Sequence, residues 1–173
     1  MHIRDAEDDD AERATADAAA IRTLYNATVS TTTVAWTEEH ESLATRREWL
    51  HKQRAAGNPV LVAEADGHVI GFASYGEFRN ATKWPGYRFT VEHTIHIAAT
   101  HQGAGVGGAL LEVLVSRATA AGLHVMIGAI DGENDGSIRF HRRHGFVEVA
   151  RLHDVGFKFG RWLDLVLVQR ILS

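Results

Sequence analysis

Four glycines lie within residues 103–108, between a strand-like segment and a helix-like segment, and this arrangement constrains the fold strongly. The preceding residues 89–98 are rich in β-branched and aromatic side chains, whereas Val106, Leu110 and Leu114 recur at helical spacing. Glycine permits positive φ angles and a close approach of the backbone to a ligand. The first N–H groups of a helix have no intrahelical partner. The pattern therefore predicts a phosphate cradle at a helix N-terminus.

The composition limits the class of protein. The 173 residues are expected to form a single domain over 1–173, and the net charge of −4 gives no reason to expect a nucleic acid or an anionic membrane as partner. The chain has no cysteine, which excludes thiolate metal sites and a cysteine nucleophile. No apolar run in the sequence is long enough to span a membrane. The acidic N-terminal segment also lacks the apolar core of a signal peptide. We expect a cytoplasmic enzyme without a metal.

Hydrophobic periodicity predicts a mixed architecture. An Asp-Gly pair at 66–67 is typical of a hairpin turn, and the acidic run Asp8, Asp9 and Asp10 is expected to lie in a solvated loop or to begin a helix. The order of elements combines a hairpin with βαβ crossovers, which indicates an α/β or α+β protein with a mixed sheet. Besides the helix after the glycines, we predict helices at 18–25, 42–54 and 134–144, strands at 59–65, 69–78, 89–98, 125–130, 146–152 and 162–171, and a possible short strand at Ile3.

Gly103, Gly105 and Gly108 also fit the dinucleotide fingerprint G-x-G-x-x-G, with Asp131 in place of the ribose-binding acid 23 residues later. A Rossmann domain places this fingerprint after its first strand, whereas here a hairpin precedes it. The strand before the glycines also carries Glu92 and several histidines, although a central parallel strand should be almost wholly apolar. A nicotinamide-dependent oxidoreductase is therefore the weaker alternative.

The segment Gln102-x-x-Gly105-x-Gly107 resembles the pyrophosphate loop of the GNAT-type N-acetyltransferases. The chain is most similar to the phosphinothricin and methionine sulfone/sulfoximine acetyltransferases within that superfamily. The matching segments occur in the same order along the chain, at 25–26, 62–64, 71–76, 78–79, 90–93, 101–103, 134–146 and 156–164. The resemblance implies a mostly antiparallel central sheet flanked by helices, with one splayed strand pair beside the glycine-rich loop.

The resemblance implies acetyl-CoA as cosubstrate. Its pyrophosphate would accept hydrogen bonds at the glycine loop, and its pantetheine arm would lie along the backbone at the splay. The cofactor-binding residues predicted in this way are Ile95, His96, Ile97, Gln102, Gly103, Ala104, Gly105, Val106, Gly107, Gly108 and Asn134. Asn134 is equally suited to cap a helix, because Ser137 follows it by three residues.

Two residues are candidates for proton transfer. Period-two alternation places Glu92, Thr94 and His96 on one face of their strand, and a carboxylate there suits a general base for the ammonium group. His141 precedes Gly145 by four residues, where the resemblance implies a histidine that protonates the thiolate of CoA. His144 shares that helix face and is expected to be structural. His93 and His96 should face opposite ways, which argues against a metal site.

The resemblance implies a substrate site formed by Tyr75, Phe78, Arg79, Glu92 and Lys158. Arg79 would hold a carboxylate in two parallel hydrogen bonds. We thus expect acetyl transfer to the α-amino group of a small amino acid or analogue, in a homodimeric enzyme. Another amine as acceptor, such as a peptide N-terminus or a polyamine, and a non-catalytic acyl-CoA-binding module are the remaining alternatives.

Overall fold

The computed structural model describes residues 1–6 and 11–172, and these form one seven-stranded sheet in the order β1-β2-β3-β4-β5-β7-β6. Every neighbouring pair is antiparallel except β4 and β5, which are parallel, so the predicted mixed, mostly antiparallel sheet is confirmed. The predicted placement of Asp8, Asp9 and Asp10 lies outside the described residues. The strands are β1 (His2–Asp5), β2 (Val60–Ala65), β3 (His68–Glu77), β4 (Thr90–Ile97), β5 (Val125–Asp131), β6 (Val147–Lys158) and β7 (Arg161–Ile171).

Four helices cover the two faces of the sheet, and they are α1 (Ala11–Thr31), α2 (Leu43–Ala55), α3 (Val106–Ala120) and α4 (Asp135–Arg143). On β2, Val60 and Val62 pack with α1 and α2, whereas Leu61 and Ala63 pack with α3. Because helices cover both faces, this strand is apolar at consecutive positions instead of alternate ones. Among the described helices, none is long and apolar enough to cross a membrane.

Local sequence signals explain several boundaries. Ser42 caps α2 by accepting a hydrogen bond from the backbone N–H of Thr45 at 3.1 Å. Asp66 and Gly67 both have positive φ, 51° and 76°, as a tight hairpin between β2 and β3 requires. The short strand predicted at Ile3 is confirmed as β1, which pairs with β2.

Two elements are longer than the sequence predicts. Helix α1 extends to both sides of the predicted 18–25. Its N-terminal extension contains three alanines, which favour a helix without showing an apolar stripe, whereas its C-terminal extension at 26–31 consists mostly of weak helix formers and contributes the buried Val29. Strand β6 continues to Lys158, six residues beyond the predicted end at 152. An irregularity in the pairing with β7 between Leu152 and Gly156 interrupts the alternation there, which conceals the strand in the sequence.

Candidate active site

The two parallel strands β4 and β5 separate in the middle of the sheet. They pair only from Thr90 with Val125 to Glu92 with Ile127, although β4 continues to Ile97 and β5 to Asp131. On its other side β4 remains paired with β3 up to Ile97. The backbone of Ile95, His96 and Ile97 therefore has no strand partner on the side of β5. The predicted splay is confirmed, and the cleft it opens leads to the glycine loop.

The glycine loop has the backbone that its sequence predicts. Gly103 and Gly105 have φ of 76° and 84°, and Gly105 is the N-cap of α3 without a side-chain cap. Residues 102–105 are exposed, so the first amides of α3 are left for an anion from solution. The Gln102 side-chain amide lies 3.4 Å from the carbonyl oxygen of Ile97 and links the loop to the end of β4.

The last two glycines of the motif have a packing role that the sequence analysis did not assign. A Cβ at Gly108 would lie 2.9 Å from the His144 ring, and one at Gly107 would lie 3.4 Å from the Phe140 ring. Both rings belong to the region of α4. These glycines therefore let α4 pack closely against the first turn of α3, in addition to any contact with a ligand.

Glu92 lies at the point where β4 and β5 separate. It pairs with Gly76, whose missing side chain would face Gln53 of α2, so its carboxylate lies on the face of α1 and α2. Within the described part of the chain, this carboxylate makes no hydrogen bond or ion pair. Partial burial raises its pKa, since desolvation disfavours the charged form.

His141 lies on the other face of the sheet and is buried. Its Nδ1 is 2.7 Å from the carbonyl oxygen of Ser137, and its Nε2 is 3.2 Å from Nε2 of His93. Burial lowers the pKa of His141; the hydrogen bond to Ser137 opposes this, and the nearby His144 adds to it. Glu92 and His141 thus border the cleft from opposite faces.

His96 of β4 is buried among aromatic side chains. His96 stacks on Phe72 with ring centroids 4.9 Å apart, on the face opposite to His93, so the predicted alternation is confirmed. Burial lowers the pKa of His96 to about 4, and Arg46 adds to this effect. In the described residues, no group of three His, Asp or Glu side chains is arranged to hold a metal ion.

Asn134 caps α4, accepting a hydrogen bond from the backbone N–H of Ser137 at 3.0 Å. The capping role is confirmed, and a contact with the cosubstrate stays a prediction. His144 has the expected structural surroundings, because its Nδ1 lies 3.1 Å from Glu112.

Arg79 occupies a sharp turn directly after β3, with a φ of 55°. Its guanidinium lies 5.8 Å from the centre of the Tyr87 ring, and the Phe78 ring meets the same Tyr87 edge-on. The side chain is exposed, and the described residues offer it no carboxylate partner. Its charge is therefore free for an anionic ligand.

Two predicted substrate residues are placed differently. Tyr75 is buried in the core with α3, and its pairing with His93 places it on the face opposite to Glu92. Lys158 is 1% exposed, and its ammonium donates to the carbonyl oxygens of three residues at 2.6–2.7 Å, namely Val29, Thr32 and Ala35. An ammonium has three N–H donors, so Lys158 has none left for a substrate. It instead fastens the end of α1 and the segment that follows.

The sequence analysis missed two features near the cleft. One is His93, whose inward direction follows from the same alternation that assigned Glu92. The other is the connection after α1, in which Thr33 donates a hydrogen bond to the Asp131 carboxylate. Asp131 also accepts from the backbone of Glu133, so internal partners occupy the candidate ribose-binding acid of the dinucleotide interpretation.

Comparison with known sequences identifies the family. The model of the Acetyltransferase (GNAT) family matches residues 21–146, which is most of the chain. The chain belongs to this family. GNAT membership and the mostly antiparallel sheet show that the dinucleotide interpretation is wrong.

Two relatives in this family align with about nine tenths of this chain. It is 44% identical over 155 residues to an L-methionine sulfoximine/L-methionine sulfone acetyltransferase of Pseudomonas paraeruginosa, covering 89% of this chain and 88% of that protein. It is 38% identical over 158 residues to a phosphinothricin N-acetyltransferase of Alcaligenes faecalis, and the alignment covers 91% of this chain and 79% of that protein. The solved structure of an acetyltransferase from Salmonella typhimurium, with its cofactor acetyl-CoA, is similar to this fold with a TM-score of 0.91 and 40% sequence identity. The superposition covers 100% of this chain and 94% of that one.

Proposed function

We propose that this protein transfers an acetyl group from acetyl-CoA directly to the α-amino group of a small amino acid or analogue, of the methionine sulfoximine, methionine sulfone or phosphinothricin type. The observation that carries this proposal is the cleft between β4 and β5, which begins at the unpaired carboxylate of Glu92 and ends at the open glycine loop. The names of the relatives supply the substrate class.

The cleft suits the shape of acetyl-CoA. Amides at the start of α3, after Gly105, would donate to the pyrophosphate, and the free side of residues 95–97 would pair with the pantetheine arm as an added strand. A backbone N–H near Ile97 would polarise the thioester carbonyl.

Glu92 is the proposed general base. Its carboxylate is accessible, has no hydrogen-bond or ion-pair partner among the described residues and has a raised pKa, so it can take a proton from the ammonium group of the acceptor, directly or through a water. Loss of that proton gives the amine the lone pair that attacks the thioester carbon. As the C–N bond of the amide forms, the C–S bond of the thioester breaks and CoA leaves as a thiolate.

The general-acid role of His141 stays a prediction. In this structure its ring is buried, its pKa is lowered, and its Nε2 faces His93. Any proton that His141 gives to the leaving thiolate would therefore depend on His93.

Arg79 is the proposed partner of the substrate's α-carboxylate. Its guanidinium is exposed and pairs with no carboxylate of the described part of the chain, and Phe78 and Tyr87 lie beside it as apolar walls. A polyamine would be repelled here, which favours an amino acid as the acceptor.

We also propose that the enzyme is a homodimer and that it works in the cytoplasm. Support for the dimer comes from exposed apolar side chains on β6, β7 and the turn between them, including Val147, Phe157, Phe159 and Trp162, which are 45–62% exposed. Phe157 and Trp162 contact each other edge-on, and exposed aromatic side chains in contact are typical of a protein interface.

The direct test is a thiol-release assay with acetyl-CoA and a panel of free amino acids, the three analogues, a peptide with a free N-terminus and a polyamine. We expect turnover with at least one analogue. We also expect Arg79→Gln to raise KM for it by about tenfold or more, since a charge-assisted hydrogen bond contributes about 1.5–3 kcal/mol. Arg88→Gln, which alters another exposed arginine of the same loop, is the matched control. Turnover with the peptide or polyamine alone would refute the acceptor class.

A further inference from the structure

His93 and His141 form a buried pair in the sheet cleft, and their hydrogen bonds fix where the protons lie. The carbonyl oxygen of Ser137 can only accept, so Nδ1 of His141 carries a proton. In the neutral ring, Nε2 of His141 is then an acceptor. The partner 3.2 Å away is Nε2 of His93, which must therefore be protonated and donate.

This arrangement leaves Nδ1 of His93 as an acceptor, and it is a buried atom for which the described residues provide no hydrogen-bond partner. A buried polar group without a hydrogen-bond partner destabilises the folded state, so such groups are rare in native proteins. A phenylalanine would fill the same apolar surroundings without it. The orphaned nitrogen thus calls for an explanation beyond packing.

The pair is enclosed mainly by uncharged groups. Phe146 contacts both rings, and Phe140 lies edge-on against His141. A Cβ at Gly128 of β5 would lie 3.0 Å from Nε2 of His93 and 3.5 Å from Nε2 of His141, so the glycine leaves room for the pair. Among titratable groups of the described chain, His144 acts on His141 and is itself paired with Glu112, while His141 acts on His93. Burial keeps both rings neutral, and it lowers the pKa of His93 to about 3.

We propose that His93 is a positioning residue for acetyl transfer, which holds His141 in one neutral tautomer and one orientation beside the cleft by donating to its Nε2. This inference rests on the proposed function for its kinetic consequence. The hydrogen bond stabilises the neutral form of His141, so His93 also sets the pH below which His141 becomes charged. His93 itself touches neither substrate in this arrangement.

The first measurement uses the unmodified protein and does not depend on turnover. Long-range ¹H–¹⁵N spectra of the imidazole nitrogens should show His141 protonated only at Nδ1 and His93 protonated only at Nε2 at pH 7. A charged His141, or one protonated at Nε2 instead, would overturn the inference.

The second measurement uses His93→Phe, which keeps the ring shape and removes the donor, and His93→Gln, which can return an N–H to the Nε2 position. We expect His93→Phe to lower kcat by about tenfold or more with KM for both substrates nearly unchanged. The pKa of His141, followed through the ¹H and ¹⁵N shifts of its ring, should rise in this variant, because neutral His141 loses a stabilising donor. His93→Gln should restore both properties, and the exposed His68→Phe is the matched control.

A folded His93→Phe variant with unchanged kcat would refute the inference. So would a variant with lower kcat in which the pKa of His141 is unmoved, because that pattern indicates a structural role alone. Binding of acetyl-CoA by calorimetry separates the two proposals: absence of binding to the unmodified enzyme contradicts the proposed function, whereas the proton positions in the spectra still test the histidine pair.

Discussion

Glu92 and His93 are neighbours on β4, yet their side chains lie in opposite surroundings. Glu92 faces the α1 and α2 side as an accessible carboxylate that has no partner among the residues described. His93 faces α4 as a buried ring held by another histidine. Desolvation affects both and favours the neutral form of each, so it raises the pKa of Glu92 and lowers that of His93.

The same contrast separates two cationic side chains. Arg79 is exposed and has no carboxylate partner among the described residues, whereas Lys158 is buried with every donor satisfied. Exposed and unpaired groups are available to a ligand, and buried groups with full partners stabilise the fold. Substitutions should therefore separate into those that change kinetics and those that change stability.

The largest expected effect is kinetic. Glu92→Gln should lower kcat by about 100-fold at neutral pH, because the general base is lost, with partial recovery at high pH, where the amine is already neutral. In the unmodified enzyme, kcat/KM should fall as pH decreases through the raised pKa of Glu92. Rates against pH would test this, with Glu48→Gln, an exposed carboxylate on α2, as control. An unchanged profile would remove Glu92 from the mechanism.

The second effect concerns stability. Lys158→Met should lower the free energy of unfolding by about 2–3 kcal/mol, because the carbonyl oxygens of Val29, Thr32 and Ala35 lose their donor in a buried site. Denaturant unfolding would measure this, with the exposed Lys52→Met as control. If stability is unchanged while KM for the acceptor rises strongly, Lys158 binds substrate after all and the contrast fails.

The smallest expected effect is on the pH dependence of the free energy of unfolding. His96 is neutral in the fold with a pKa of about 4, against about 6.5 when unfolded. The unfolded state therefore binds more protons between these values, and stability falls as pH decreases through that window. His96→Phe should reduce the slope by about 1.4 kcal/mol per pH unit. Unfolding measured from pH 6.5 to 4.5 would show it, with His68→Phe as control; equal slopes would mean that His96 is not buried as a neutral ring.

Local signals in the sequence predicted much of the fold and part of the site. The Asp-Gly hairpin, the Asn134 cap and the glycines with positive φ depend on a few adjacent residues, so they were correctly predicted. The extension of β6 was missed because a pairing irregularity breaks the alternation on which the prediction relies. The GNAT family was also recognisable from ordered motifs.

The sequence by itself determined the family, the glycine loop and the direction of alternate side chains on β4, since these depend on local geometry and motif order. Only the tertiary structure decided that Lys158 and Tyr75 are buried away from the proposed substrate site and that His93 contacts His141. Those outcomes depend on which distant segments meet, such as Val29 with Lys158 and His93 with His141. Spacing along one strand or helix carries no information about such partners.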